Sequence, residues 1–557
     1  MSERKIKKEL RTFGNETIEV LYRKALPPEE SGGRFPELNP GTSVEDGIIN
    51  ERDVGVTLRD GTVIYVDIFR PEGAEGIPAI VAWGPFGKRA GGGDHEIPGI
   101  PKPSKMTMFE GPDPEYWCRH GYAVVNVDIR GIGNSEGDMQ HWGSQDGKDG
   151  YDVVEWLAAR EWCNGRIGFS GNSWLAISQW FIAAERPPHL AAIAPWEGHS
   201  DMYRDDLSIG GVVETGFSDR SILDRVGRNY IEDVANMIHQ YPLMNSFWED
   251  KIPRFENIDV PAYIVASWTN PIHTLGTFRA FCNIRSTEKW LRVHNTQEWV
   301  DYADPESRED LRRFFDRYLK GIENGWEETP RVRLSILDPG GRDIVNRPEK
   351  EFPLLRTEYV KLYLDASTGL LSPGPVAKES KARYRSDDEQ GKATFTIRFT
   401  EDTELTGFMK LRLWVEADGA DDMDLFVYVE KLDEQGNLLS PMVLGHPCPG
   451  AQGMLRVSHR ELDEEKSTPY KPYLSHRQEQ LLHDGEIVPV DIEIWPMGMI
   501  WHKGQQLRLT IQGFGKSWMD DLLPGIKMFN YHLRNRGDHI IHTGGKYESY
   551  LLVPKIS

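Results

Sequence analysis

The run Gly168-Phe169-Ser170-Gly171-Asn172-Ser173-Trp174-Leu175-Ala176 holds the residues best suited to chemistry. An apolar strand pattern enters a turn of small residues and a helical pattern follows at once. Serine attack on a carbonyl needs that geometry, because a sharp turn exposes the hydroxyl and only small neighbours fit around it. The helix behind the turn aims free N–H groups and a positive dipole end at the oxyanion that attack creates. Ser173 has Gly171 two residues before it and Ala176 three after it, so Ser173 is the candidate nucleophile. Ser170 falls at the strand end, on the wrong side of the turn. The plainer account of Ser173 is an N-cap that opens a helix. A second run, Asp128-Ile129-Arg130-Gly131-Ile132-Gly133-Asn134-Ser135-Glu136-Gly137, follows a Val-rich strand. It does not satisfy the G-x-G-x-x-G dinucleotide fingerprint, and no catalytic role is assigned to it.

The elements that must carry these residues fall into two textures. Up to about residue 345, short apolar runs alternate with helical spacing. Strands are predicted at Val54–Leu58, Val63–Phe69, Ala79–Trp83, Tyr122–Asp128, Ile167–Ser170, Leu190–Ala194, Ala262–Ser267 and Lys289–His294. Helices are predicted at Asp152–Ala159, Ser173–Ala184 and Leu311–Lys320, with Gly321 as a C-cap. That alternation predicts a mostly parallel sheet covered on both faces. Residues 199–255 break the rhythm and read as a helical cap inserted over the site. From residue 346 to 557 the period becomes two, as in Tyr359–Leu364, Phe408–Val415, Leu425–Val429, Leu507–Ile511 and Tyr550–Val553. This predicts an antiparallel β-sandwich or jelly roll.

Composition narrows the partners. With 557 residues the chain has room for more than one core, and its formal charge is −22. Protein surfaces that bind nucleic acid are normally basic, so no nucleic-acid partner is expected, and neutral or cationic small molecules are favoured over anionic ones. The first ten residues are charged with no apolar run after them, and no stretch nears the ~18 apolar residues of a membrane span. A cytoplasmic protein without a membrane partner is the expectation. Four scattered cysteines, Cys118, Cys163, Cys282 and Cys448, show no metal spacing and are expected to be free thiols. The pattern is compatible with a homo-oligomer, and no metal or cofactor is expected.

The chain resembles the cocaine esterase and X-Pro dipeptidyl-peptidase (S15-like) family of α/β-hydrolases from about Glu51 to its end. The resemblance rests on Gly84-Pro85-Phe86-Gly87-Lys88, the Asp128 loop, Gly171-Asn172-Ser173-Trp174, Ala266-Ser267-Trp268-Thr269, Phe314-Phe315-Asp316, Leu319-Lys320-Gly321 and His542-Thr543-Gly544-Gly545-Lys546-Tyr547. It implies an α/β-hydrolase domain over residues 1–345, with the cap at about 199–255, and a jelly roll over 346–557. It also implies a Ser-acid-His triad with Ser173 as nucleophile and His294, at the end of an apolar strand, as base. Two positions depart from the family. The acid slot holds Asn270, and no carboxylate lies between Ser267 and Glu288. Asparagine orients an imidazole without balancing its charge, a change that costs about four orders of magnitude in a serine triad. Asp201, in the loop after the preceding strand, is the alternative acid, and Glu298 and Asp301 are further options. Phe86 stands where the family has a tyrosine donor, so the oxyanion hole is expected from backbone N–H groups alone, near Phe86 and at Trp174.

These features predict a serine hydrolase that cleaves an ester or amide of a small molecule through an acyl-enzyme. The alternatives are a weakly catalytic or non-catalytic binding protein, an acyltransferase, or an X-Pro dipeptidyl-peptidase. Trp196, Tyr203, Phe217 and Trp248 are the aromatic candidates for a pocket wall.

Overall fold

The computed structural model describes residues 4–31, 35, 37–89, 103–223, 225–516 and 528–557. Labels run in chain order. A hairpin of β1 (Ile6–Phe13) and β2 (Glu16–Lys24) precedes the main sheet. That sheet contains β3 (Gly41–Glu45), β4 (Ile48–Thr57), β5 (Val63–Pro71), β6 (Ile77–Gly84), β7 (Ala123–Asp128), β8 (Cys163–Asn172), β9 (Leu190–Trp196), β10 (Ala262–Ser267), β11 (Lys289–His294), β12 (Val332–Ile336) and β13 (Ile344–Glu349). Their order is β13-β12-β11-β10-β9-β8-β6-β7-β5-β4-β3. The strands from β7 to β12 run parallel, and antiparallel pairs close both edges. The central strands β6 to β10 bury nearly every residue on both faces. Such strands read as unbroken apolar runs, which is why sequence finds them.

The helices are α1 (Pro114–Arg119), α2 (Ser144–Ala158), α3 (Trp174–Ala184), α4 (Thr274–Asn283), α5 (Glu298–Ala303) and α6 (Pro305–Lys320). Helix α2 begins eight residues before the predicted Asp152, in Ser-Gln-Asp-Gly-Lys-Asp-Gly, which reads as loop. Packing explains the difference. A Cβ on Gly147 would meet Phe181 O at 2.7 Å, and one on Gly150 would meet Ile182 Cγ1 at 2.4 Å. The two glycines let α2 lie against α3, and Asp146 turns inward to accept Trp83 Nε1–H at 2.8 Å. Helix α6 also starts earlier than predicted, with Asp304 capping it and Gly321 ending it at φ 71°.

The segment predicted as a helical cap holds the short helices Gly216–Leu223, Val234–Gln240 and Ser246–Glu249. It also contains a strand, Tyr230–Glu232, that pairs with β2 and ties the cap to the amino-terminal hairpin. Beyond β13 the chain is sheet-rich. Thr403–Asp418 pairs with Val488–Trp501, and Asp424–Leu432 lies between Ala451–Arg456 and Gln506–Gln512. This is the predicted antiparallel sandwich. All four cysteines are free, and no helix among the described residues is long and apolar enough to cross a membrane.

The two sheet systems meet at an aromatic stack. Trp268, at the exit of β10, is 1% exposed and lies parallel to Phe278 of α4, with ring centroids 4.9 Å apart. Phe278 packs on Phe352 at 4.9 Å, and Phe352 packs on Phe408 of the sandwich at 5.5 Å. Gly498 leaves room for the indole, since a Cβ there would stand 3.1 Å from Trp268. Trp268→Ala is expected to cost about 3–5 kcal/mol through the cavity it opens. A denaturant melt followed by tryptophan fluorescence checks this, and an unchanged midpoint refutes it.

Candidate active site

Ser173 sits between β8 and α3 with φ 52° and ψ −119°, and it is half-buried. A non-glycine residue at positive φ is strained and clusters at functional sites. Gly171 (φ 146°) permits the turn, because a Cβ there would stand 2.5 Å from Leu175 Cβ. The Ser173 side chain makes no cap to α3, which removes the plain N-cap account. Ser170 is 1% exposed and bonded to Tyr302 OH at 2.7 Å, so it is held in the core.

Two glutamates flank the turn through the backbone. Asn172 N–H donates to Glu110 O at 3.1 Å, and Ser173 N–H donates to Glu197 O at 3.0 Å. Both glutamates also have positive φ, 64° and 55°. Their side chains join one network. Glu197 Oε1 meets His294 Nε2, and Glu197 Oε2 accepts Asn270 Nδ2–H at 2.7 Å and Ser267 Oγ–H at 3.2 Å. Asn270 Nδ2 also donates to Glu298 Oε2. The next residue, Trp299, donates its Nε1–H to Glu110 Oε1 at 2.9 Å. The first turn of α5 therefore reaches, directly at Glu110 and through Asn270 at Glu197, the side chains of the two glutamates whose carbonyls hold Asn172 and Ser173.

Three sequence-derived positions turn out differently. Asn270 does not touch His294; it bridges the carboxylates of Glu197 and Glu298, and its Oδ1 accepts the N–H groups of Ile272 and His273. Asp201 is not an acid for His294 either. It pairs with Arg204 at 2.9 Å and caps Arg204 N–H at 3.0 Å, inside the cap. His294 itself, the expected base, makes no hydrogen bond to Ser173. It is the last residue of β11, level with Ser267, and both its nitrogens are engaged: Nε2 with Glu197, and Nδ1 accepting Thr296 N–H at 3.2 Å. Asp301 is held by Arg292.

Burial dominates the electrostatics. It drives the Glu110 carboxyl up to about 8, against the Trp299 hydrogen bond and the Arg225 charge. Glu298 is raised well above the ordinary carboxylate range by burial and by the charges of Glu197 and Glu110. Burial alone would lower His294, but Asp301 and Glu197 hold it above its usual value. His199 falls to about 4 and His273 falls well below its ordinary value, both through burial.

Trp174 is the first residue of α3, and the leading N–H groups of a helix have no partner within it. Phe86 follows β6, with its ring on Phe109 at 5.0 Å. The Arg225 guanidinium lies 4.7 Å from the Phe86 ring and 5.6 Å from that of Trp174, so the two residues face one space. The aromatic wall differs from the prediction. Trp196 and Trp248 are core residues, and Tyr203 donates its hydroxyl to Pro242 O. Trp142, 4.1 Å from Trp174 and 4.9 Å from His199, is the neighbour sequence missed. The Asp128 loop is structural: Asp128 accepts from Lys88 Nζ at 2.8 Å, and Arg130 grips Asp149.

Two family models match the chain. They are X-Pro dipeptidyl-peptidase (S15 family) over residues 60–224 and the X-Pro dipeptidyl-peptidase C-terminal non-catalytic domain over residues 324–552. A crystal structure of a CocE/NonD family hydrolase from Staphylococcus aureus is 37% identical, with a TM-score of 0.87 over 93% of this chain and 98% of that one. A putative serine esterase of Mycobacterium bovis is 22% identical over 84% of this chain and 91% of its own length. Cocaine esterase from Rhodococcus is 25% identical over 60% of this chain and 67% of its own.

The raised Glu110 value has a measurable consequence. An unfolded glutamate titrates near 4.3, so folding takes up a proton between there and about 8. Stability from this group is full below the unfolded value and is lost as pH rises through the folded one. Glu110→Gln keeps the acceptor for Trp299 and removes the buried charge. Its denaturation midpoint is expected to gain on the native protein more at pH 9 than at pH 5. An equal difference at both pH values refutes the assignment.

Proposed function

The chain belongs to the CocE/NonD hydrolase family and is a serine hydrolase, and we propose that it cleaves a small-molecule ester or amide through an acyl-enzyme on Ser173. The observation that carries this reading is the backbone of Ser173. A left-handed serine between a buried strand and a helix, with no cap bond of its own, leaves its hydroxyl free for attack. Charge developing on the carbonyl oxygen is met by the Trp174 N–H at the start of α3, with the backbone near Phe86 as the second donor. The phenyl ring of Phe86 has no hydroxyl to add, which leaves the whole task to the main chain.

The surroundings support an uncharged polar or aromatic acyl group. Trp142 Nε1, Trp174 Nε1, both nitrogens of His199 and Nδ1 of His273 are buried without a hydrogen-bond partner. Both imidazoles are neutral at physiological pH because burial lowers them. Hydrogen-bonding groups of a neutral substrate meet such a wall without placing an unpaired charge in the interior.

Ser173→Ala is expected to abolish hydrolysis of p-nitrophenyl acetate and covalent labelling by a fluorophosphonate, with an unchanged circular dichroism spectrum. Mass spectrometry of the labelled native protein locates the modified residue. A label on Ser170, or undiminished labelling of the variant, overturns the assignment.

A further inference from the structure

The proposed acyl-enzyme still needs a group to take the Ser173 proton. His294 is poorly placed for that, since Glu197 and Thr296 occupy both its nitrogens. Asn270 is equally odd as a triad member, since it neither touches an imidazole nor carries a charge.

The geometry points to Glu298 as the general base of the Ser173 reaction, with Asn270 as its positioning residue. The placement follows from the closed set of bonds around the turn. Glu110 and Glu197 hold Asn172 and Ser173 by their carbonyls. Glu298, through Asn270, reaches the Glu197 carboxylate, and the adjacent Trp299 reaches the Glu110 carboxylate. Helix α5 is thus tied, at Glu298 and Trp299, to the same two glutamates whose carbonyls hold the turn. Trp299 continues along Phe109, 5.6 Å away, to Phe86 on the oxyanion side.

The chemistry accounts for Asn270. A histidine base becomes a cation and needs a carboxylate behind it. A glutamate base starts as the anion and ends neutral, so no counter-charge is needed behind it; the Asn270 N–H orients the starting carboxylate and adds no charge. An aspartate at 270 would set another negative charge beside Glu197 and Glu298. In the step itself, the Ser173 Oγ–H proton moves to the Glu298 carboxylate as Oγ bonds to the substrate carbonyl carbon and the C=O electron pair moves onto oxygen. When that pair returns, the bond to the alkoxide or amine breaks, and Glu298 hands the proton to the leaving group. Water then repeats the sequence, giving a proton to Glu298 while its oxygen attacks the acyl carbon. Ser173 Oγ leaves and takes the proton back.

The groups facing Glu298 set its working range. They are Glu197 at the end of β9, Glu110 before α1, and His273 Nε2 at 4.0 Å from the start of α4. His294 acts through Glu197, and Arg225 acts on Glu110. Burial with two like charges raises Glu298, so the acylation rate should climb with pH well above the ordinary carboxylate range.

This inference rests on Ser173 as nucleophile, and the test separates the two. Fluorophosphonate labelling with peptide mapping establishes the nucleophile first; a label elsewhere sinks that reading and not the base assignment alone. Stopped-flow acylation by p-nitrophenyl acetate is then measured across pH for Glu298→Gln, Glu298→Asp, Asn270→Asp and His294→Gln. Glu298→Gln is expected to acylate about 10²–10⁴-fold more slowly, and Glu298→Asp is expected to recover part of that loss with a shifted pH limb. Asn270→Asp is expected to slow acylation and move the ascending limb to higher pH. The proposal is overturned if Glu298→Gln acylates at the native rate, or if Asn270→Asp accelerates the reaction, as a histidine base would require. Loss of acylation in His294→Gln alone, with Glu298→Gln active, overturns it as well.

Discussion

Ser173 holds a left-handed backbone because its amide and that of Asn172 are committed to the carbonyls of Glu197 and Glu110. Each of the three residues at positive φ costs on the order of 1–3 kcal/mol, which surrounding structure must over-determine. The parallel register supplies that constraint. Asn172 lies level with Trp196, so the ends of β8 and β9 leave the sheet together and their next residues meet. Gly171 and Gly198 clear the way, since a Cβ on Gly198 would stand 2.8 Å from Ala176 Cβ. Loosening this corner would displace the nucleophile, the oxyanion donor on α3 and the Glu197 carboxylate at once.

From that corner the network spreads through carboxylates more than imidazoles. Glu110, Glu197 and Glu298 gather where water is largely excluded; burial raises Glu110 and Glu298, and the charges of Glu197 and Glu110 raise Glu298 further. Asn270 reconciles two of them by donating from one nitrogen to both. The departure at this position therefore fits the charges around it: where the neighbours are acids, a neutral donor is stabilising and a further acid is not.

The cap and the sandwich serve the site from a distance. Arg204 in the cap reaches the backbone carbonyl of Leu474 at 3.2 Å, and Arg279 of α4 pairs with Asp205. Lys431 of the sandwich pairs with Asp338 at 2.6 Å, just beyond β12. These buried ion pairs fix orientation more than they add stability. With the Trp268–Phe278 stack they set α4, and so the loop that carries Asn270, against the rest of the molecule.

The sequence by itself determined the local and periodic features. Fully buried parallel strands are long apolar runs, the sandwich strands alternate, and a strand–turn–helix around small residues marks Ser173; each signal lies within about ten contiguous residues. The start of α2 escaped because its glycines are chosen for contact with α3, which no local propensity reveals. The partner of His294 escaped for a related reason. Glu197 lies 97 residues upstream and directly beside a strand end, and only the β8–β9–β10–β11 order brings it to the imidazole. Asp201, four residues further on, is the same kind of residue in the same loop, yet the turn at Glu197 carries it away into the cap, where Arg204 neutralises it. Residue type and spacing named the loops that bear the chemistry. Which carboxylate faces which nitrogen was decided by strand order and by left-handed turns, because hydrogen bonds reach only about 3 Å and a single residue reverses a side chain's direction.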